Sequence, residues 1–409
     1  MKPHGPIPPG FAADAGGMLL IGGDRAEALA DVAGDTPLFV YDSTMLAARV
    51  AEWRAAMPPS VQLHYAMKAN PYAPLLAFMG RLVDGFDVAS GGELKAALAS
   101  GMAAERISFA GPGKRDRELE AAIEAGATLN LESAGEAERA LSIAARLGVA
   151  PRLAVRVNPD FDLKGSGMKM GGGAKPFGVD AAEVPALVRR LLDAGADWQG
   201  FHIFAGSQAL DAAAIADTQA QTVALAARLA NEIGETPPLV NIGGGMGVPY
   251  FPGDKPVDAA AIGAALAETL AGRDPILAKS HFAMELGRWL VAEAGVYLTR
   301  IVDRKTSHGE TFLVTDGGLH HQLAASGNFG TVIRRNYPIA VASAFGAEPA
   351  ETVSVVGCLC TPLDRLGDQV TLPRAGVGDL IAIFQAGAYG ASASPAAFLG
   401  QGAAREMLV

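Results

Sequence analysis

Leu63-His64-Tyr65-Ala66-Met67-Lys68-Ala69-Asn70-Pro71 is a short apolar run that closes on a lysine and then turns. So apolar a run suits a strand buried on both faces, as parallel strands between helices are. A lysine at its end sits at the mouth of the fold with its ammonium partly desolvated. Desolvation lowers the pKa of the amine and frees it to attack a carbonyl, the basis of Schiff-base chemistry. The plainer alternative is a lysine that snorkels to the surface.

Outward from this stretch the same kind of run recurs. Eight are present, at 61–68, 85–90, 107–111, 128–133, 152–158, 198–206, 239–245 and 281–287. Between them lie stretches rich in Ala, Leu, Arg and Glu, including 91–100, 116–126, 134–148, 180–195, 209–234 and 258–273, each long enough for a crossover helix. Such alternation implies an α/β fold with a parallel sheet, and eight units imply a closed (β/α)8 barrel. After residue 290 the pattern changes to alternating strands without long helices, at 296–302, 311–315, 351–356 and 379–384. That is the signature of an all-β domain. The expected boundaries are an irregular arm over 1–36 packing on the β domain, a barrel segment over 37–290 and a β-sandwich or β-barrel domain over 291–409. The strand signal at 37–41 is also expected to join the β domain, with Asp42 or Ser43 capping the next helix.

The ends of the eight runs carry Lys68, Ser90-Gly91-Gly92, Gly111-Pro112-Gly113, Glu132-Ser133, Asn158, Ala205-Gly206-Ser207, Gly243-Gly244-Gly245 and Glu285-Leu286-Gly287-Arg288. In a barrel these ends share the C-terminal rim, where active sites are built. Turn formation accounts for the glycines one by one. A ligand with a phosphate and a ring nitrogen accounts better for Lys68, Glu285 and Arg288 together. Gly243, Gly244 and Gly245 let backbone N–H groups approach an anion, although a tight turn needs glycines as well. A carboxylate at Glu285 can keep a pyridine nitrogen protonated, and the Arg288 guanidinium can bind phosphate in a fixed geometry, unless the two are a surface ion pair. Tyr389 stands among small residues, which suits a close ligand contact or a buried core tyrosine. His320, His321 and Asn328 fall in an insert rich in Gly, Ser and Ala, expected to be a loop at or near the site. Cys360, if buried and free, would ordinarily be inert.

Composition narrows the function classes. At 409 residues two domains are the prior expectation. The net charge of −10 argues against nucleic acid or an anionic membrane as the main partner. No apolar run approaches a membrane span, and residues 1–35 do not read as a signal segment. The expected setting is therefore cytoplasmic. Cys358 and Cys360 are too close for an ordinary disulfide framework, and no second thiol pair completes a zinc site.

Six segments carry a resemblance. Tyr65-Ala66-Met67-Lys68-Ala69-Asn70, Gly85-Phe86-Asp87-Val88-Ala89-Ser90, Gly243-Gly244-Gly245, Glu285-Leu286-Gly287-Arg288, Leu359-Cys360-Thr361-Pro362-Leu363-Asp364 and Gly387-Ala388-Tyr389 stand in that order. Their order is that of the fold-type III decarboxylases dependent on pyridoxal 5'-phosphate (PLP), the group of ornithine, arginine and diaminopimelate decarboxylases. The chain resembles this family from about Pro37 onward. The resemblance implies an alanine-racemase-like barrel with a β domain, in a homodimer with shared active sites. It implies that Lys68 holds PLP as a Schiff base and Glu285 pairs with the pyridinium nitrogen. Gly243, Gly244, Gly245, Ser207, Arg288 and Tyr389 would bind the phosphate, with Asp87 and Arg156 as supporting positions. Cys360 would come from the partner subunit and protonate the carbon left by CO2.

Departures from the family pattern bear on the substrate. Where the family stacks a histidine on the PLP ring, this chain has Phe204, which can still stack but cannot donate a hydrogen bond. His202, two residues earlier on the same strand face, is either part of the site or a packed core histidine. After Cys360 the ornithine and diaminopimelate enzymes carry Asp or Glu for the distal ammonium; here stands Thr361, with Asp364 further on. Threonine cannot supply the charge a buried ammonium requires. Asp316-Gly317-Gly318 is followed by His320-His321 rather than by the arginine and tyrosine of the diaminopimelate pattern. These variants look most like the BtrK-type decarboxylases, which act on an aminoacyl group tethered to a carrier protein. They also resemble the exosortase A system-associated PLP decarboxylases of exopolysaccharide loci. A racemase on this scaffold would need a second base opposite Lys68, and a non-catalytic regulator would not need Lys68, Glu285 and Cys360 intact.

Overall fold

All eight apolar runs form strands. The computed structural model describes residues 2–327 and 335–409. The barrel strands are β1 (Val61–Ala66), β2 (Gly85–Val88), β3 (Ile107–Phe109), β4 (Thr128–Leu131), β5 (Arg152–Asn158), β6 (Asp197–Ile203), β7 (Leu239–Asn241) and β8 (His281–Leu286). Each is parallel to its neighbour, and the sheet closes through β8–β1 and β4–β5 pairing. The barrel is thus as the alternation implies. Helices follow β2, β3, β4 and β6 at Gly91–Ala99, Asp116–Ala125, Ala134–Leu147 and Ala212–Ile233. Their starts are written in the sequence: Ser90 and Ser133 accept the backbone N–H three residues on, and Asp211 caps its helix in the same way. Gly126, Gly148 and Gly234 end helices in the left-handed conformation.

The chain divides into two compact units. One is Val50–Gly247 with Val257–Gly287, which holds the barrel. The other is Met1–Arg49 with Val248–Pro256 and Arg288–Val409. The second unit is built on the long strand Gly295–Ser307. Its first half pairs with Leu380–Ile383 and with Leu38–Tyr41, and its second half pairs with Glu310–Thr315. Leu38–Tyr41 is buried along its whole length and also takes Arg405–Leu408 as a parallel neighbour. Met18, Leu19, Leu38, Val40, Val296, Leu298, Leu380 and Phe384 pack into one apolar core of this unit.

Three expectations are corrected. The arm is not irregular: it holds a small antiparallel sheet (Ala12–Ala13, Leu19–Ile21, Asp24–Arg25) and a helix, Ala26–Ala33, which bury Leu19, Ile21, Leu29 and Ala30. Strands at Ile339–Val341, Arg365–Leu372 and Arg405–Leu408 add to the four expected in the β region. Lys68 lies just past β1, on a 3-10 turn over Met67–Ala69, because Asn70 and Pro71 turn the chain at once. No helix among the described residues is long and apolar enough to cross a membrane.

Candidate active site

The strand ends of the barrel unit gather one constellation. β1 delivers Lys68, whose side chain is about half exposed, and β8 delivers Glu285, which is buried, with Nζ 3.7 Å from Oε1. β6 brings His202, whose Nε2–H donates to Glu285 Oε2 at 2.8 Å. Burial alone would raise the Glu285 carboxyl. The His202 hydrogen bond, then Lys68 and Arg156, outweigh it and hold the pKa down to about 2. Glu285 is therefore an anion across the physiological range. His202 Nδ1 is buried without a hydrogen-bond partner among the described residues. Phe204, one residue past β6, sets its ring 5.7 Å from Lys68 Nζ.

The glycine triplet follows β7. Gly243 and Gly245 have φ of 68° and 83°, so a side chain at either would strain the backbone. Gly244 runs so close to β8 that a Cβ would lie 2.1 Å from the Glu285 carbonyl oxygen. Gly243 N–H is taken by Asn241 Oδ1 at 2.9 Å. The N–H groups of Gly244 and Gly245 have no partner among the described residues. Ser207 stands in the two-residue strand after β6. Asp87, on β2, is buried, with Oδ2 3.4 Å from His64 Nδ1. Arg156, on β5, donates from Nη1 to Glu132 Oε1 at 2.7 Å.

In the β unit, Arg288 begins a short helix, Arg288–Val291. Its Nη1–H donates to Tyr250 Oη at 2.9 Å, its guanidinium lies 4.7 Å from the Tyr389 ring centroid, and Nε is buried without a partner among the described residues. Tyr389 is held at a φ of 56°. For an aromatic residue that conformation costs on the order of 1–3 kcal/mol and persists only where the surroundings impose it.

Cys360 is exposed, not buried, and Cys358 is half-buried. Their loop is anchored by Asp364, which accepts from Leu319 N at 2.7 Å and Leu359 N at 2.8 Å. A Cβ on Gly318 or Gly357 would fall 2.1 or 2.3 Å from its carboxylate. Thr361 is half-buried and lines a cleft of about 510 Å³ with Lys305, Cys358 and Arg365. His320 and His321 lie in the expected loop, on a turn, and both are buried, with ring centroids 3.8 Å apart. His321 Nε2–H donates to the Gly402 carbonyl and Nδ1 accepts from Tyr297 Oη, both at 3.0 Å, whereas neither nitrogen of His320 is paired among the described residues. Burial and the neighbouring His321 hold the His320 pKa down to about 4. Asn328 lies outside the described residues.

The sequence reading passed over Lys114, Glu136 and Tyr250. Glu136 is hidden inside Ser133-Ala134-Gly135-Glu136, which reads as an ordinary helix start. Lys114 follows Gly111-Pro112-Gly113 and reads as a turn residue. Tyr250 is legible only once Arg288 is placed.

The profile of the family described as "Pyridoxal-dependent decarboxylase, pyridoxal binding domain" matches residues 44–292. A relative from Niallia circulans, L-glutamyl-[BtrI acyl-carrier protein] decarboxylase, is 36% identical over 91% of this chain and 89% of its own. Diaminopimelate decarboxylase of Aquifex aeolicus is 32% identical over 91% of this chain and 86% of its own. A crystal structure of diaminopimelate decarboxylase from M. jannaschii with L-lysine superposes with a TM-score of 0.88. It is 26% identical and covers 98% of this chain and 92% of its own. The chain belongs to the pyridoxal-dependent decarboxylases. It is a carboxy-lyase whose cofactor is PLP. The barrel residues fit that cofactor: an amine, a buried anionic carboxylate and a glycine cradle with free N–H groups stand together at one end of the barrel.

Proposed function

We propose that this chain decarboxylates an aminoacyl substrate whose distal end carries no ammonium, with a carrier-protein-tethered glutamyl-type group as the leading candidate. The observation that carries this is the Cys360 loop. Thr361 is uncharged, and Asp364 has both carboxylate oxygens engaged by backbone N–H groups. The loop thus offers no free carboxylate to a cation. The relative that acts on an L-glutamyl acyl-carrier protein supports the same choice.

PLP, when bound, supplies an electron sink for the electron pair left on Cα as CO2 departs. Lys68 anchors the cofactor, Glu285 keeps a proton on the ring nitrogen, and His202 orients Glu285. Gly243, Gly244, Gly245, Ser207, Arg288 and Tyr389 would hold the phosphate, Phe204 would offer its ring to the cofactor, and Asp87 and Arg156 would support it. Cys360 of a second copy delivers a proton from Sγ to Cα, so the working enzyme is a homodimer. Its exposure in a single chain accords with that role. Thr361, His320, His321, Asn328 and Asp364 shape the substrate end. Two free cysteines accord with a cytoplasmic enzyme. The likeness of the Cys-Thr-Pro-Leu-Asp segment points to an exopolysaccharide pathway.

The test is mass spectrometry of products from PLP-loaded protein given free L- and D-amino acids, diaminopimelate and glutamyl-carrier protein. Loss of CO2 from the carrier-bound glutamyl group is expected. Loss from diaminopimelate instead would overturn the substrate assignment, and deuterium uptake at Cα without CO2 loss would make the chain an epimerase. Lys68→Ala should lose the borohydride-fixable cofactor mass.

A further inference from the structure

Four charged side chains at the mouth of the barrel unit form a closed, neutral cluster. Lys114, Glu136 and Glu132 have side chains only 1%, 3% and 2% exposed, and that of Arg156 is 9% exposed. Lys114 Nζ pairs with Glu136 Oε1 at 2.7 Å and donates to the carbonyls of Gly111 (2.6 Å) and Asn130 (3.0 Å). Glu132 Oε1 accepts from Gly111 N at 2.6 Å and Arg156 Nη1 at 2.7 Å, while Oε2 accepts from Gly178 N at 2.8 Å. Two buried ion pairs are a poor device for stability alone, because apolar residues of similar volume stabilise as well or better. The cluster therefore calls for another role.

Its output is Arg156. One side of the guanidinium is held by Glu132 and another by the Phe177 ring, 5.1 Å from its centroid. Phe177 is placed by Gly178, which packs so closely on β5 that a Cβ would lie 2.9 Å from both Arg156 O and Asn158 N. Arg156 Nε and Nη2 make no hydrogen bond among the described residues. Arg156 stands opposite His202 in the register of β5 and β6, and His202 carries the hydrogen bond to Glu285. From there the Arg156 charge helps to hold Glu285 ionised, yet among the described residues no ion pair joins the two. We propose that Glu132 is a positioning residue, which restrains Arg156 on β5 so that it acts on Glu285 through space without closing on it as a salt bridge. Lys114 and Glu136 brace Glu132, whose own backbone N–H donates to Glu136 Oε2 at 3.1 Å. A direct Arg156–Glu285 pair would compete with the ring nitrogen for the carboxylate. This inference rests on the assignment of Glu285 to the cofactor ring, but not on the identity of the substrate.

The test uses the PLP-loaded protein and needs no substrate, so failure of the substrate assignment leaves it untouched. Absorbance of the bound cofactor is titrated against pH, and PLP affinity is measured, for wild type, Glu132→Gln, Arg156→Gln and the double variant. Glu132→Gln should move the titration midpoint and weaken PLP binding about tenfold, the loss expected for one charge-assisted hydrogen bond. If Glu132 acts through Arg156, it should add nothing in the Arg156→Gln background. An unchanged spectrum in Glu132→Gln, or full additivity in the double variant, would overturn the proposal. Should Glu132→Gln lose its fold by circular dichroism, Arg156→Lys carries the test. Lysine cannot engage Glu132 and Phe177 together, so the same shift is expected, and a wild-type titration would refute it.

Discussion

The two ends of the barrel use polar residues in opposite ways. At the strand starts a cavity of about 430 Å³ is lined by Gln62, His64, Asp84, Arg106, Asn130 and Arg152, among others. Most of these close on the fold itself. Asp84 accepts from Leu63 N and pairs with Arg54, Arg106 donates to the carbonyls of Val83 and Asp84, and Arg152 donates to Gln199. At the strand ends His202 Nδ1 and the N–H groups of Gly244 and Gly245 are left open, and Lys68 faces a carboxylate across 3.7 Å. A polar cavity is not by itself a site. What separates the two ends is which groups remain open. At the strand starts His64 Nδ1 and Arg152 Nε lack a hydrogen-bond partner among the described residues, beside groups already spent, whereas the strand ends leave backbone donors open beside an amine and a carboxylate.

Four perturbations sharpen that contrast. The largest effect is expected at the strand ends: Lys114→Met strands Glu136 as a lone buried charge and should cost about 3–5 kcal/mol in urea unfolding. Adding Glu136→Met should recover much of it, and a double variant as unstable as the single one would show that the pair is not the cause. Next, His202→Asn removes the bond that orients Glu285. It should lower kcat about ten- to hundredfold, the equivalent of a charged hydrogen bond worth about 1.5–3 kcal/mol. Turnover at the wild-type rate would detach His202 from the reaction. Third comes pH. Glu285 is held at about 2 against an ordinary 4.5, so its contribution to stability is full above 4.5 and is lost as pH falls toward 2. His64 runs the other way: the Asp87 carboxylate overcomes the effect of burial and raises its pKa above the ordinary 6.5. Its contribution is full below 6.5 and fades as pH rises through the raised value. Thermal midpoints across pH should show both limbs, with Glu285→Gln flattening the acid limb and His64→Gln the other. The smallest effect belongs to the strand starts. Arg106→Ala should cost about 1 kcal/mol and leave the absorbance of bound PLP unchanged. A spectral change there would erase the distinction between the ends.

Much of this was legible in the sequence, and the reasons are local. Each barrel strand is a run of buried apolar residues, and Ser90, Ser133 and Asp211 announce the helices that follow. Lys68, Glu285 and the glycine triplet stood out because charge and flexibility interrupt apolar runs. What stayed hidden depends on tertiary placement. His202 meets Glu285 across the barrel, and Glu136 does two things at once, resembling a cap residue while pairing with Lys114. Arg365-Leu366-Gly367-Asp368-Gln369-Val370 is too polar to read as a strand until its pairing with Glu351–Val356 is seen. His320 and His321 lie in a loop as expected, but its burial depends on Asp364, 45 residues on, which fastens Leu319.

Leu38–Tyr41 is flanked on one side by Gly295–Leu298 and on the other by Arg405–Leu408. As the chain emerges from a ribosome, this strand is made early, yet both of its neighbours are made late. The barrel segments can pair in order as they appear, whereas this apolar strand has to wait for residues 295–298 to close one edge and for residues 405–408 to close the other. During that interval it is a site for mispairing and for chaperones. Removing residues 405–408 would leave that second edge of Leu38–Tyr41 open, so the yield of native protein should depend on this strand more steeply than its four residues would suggest.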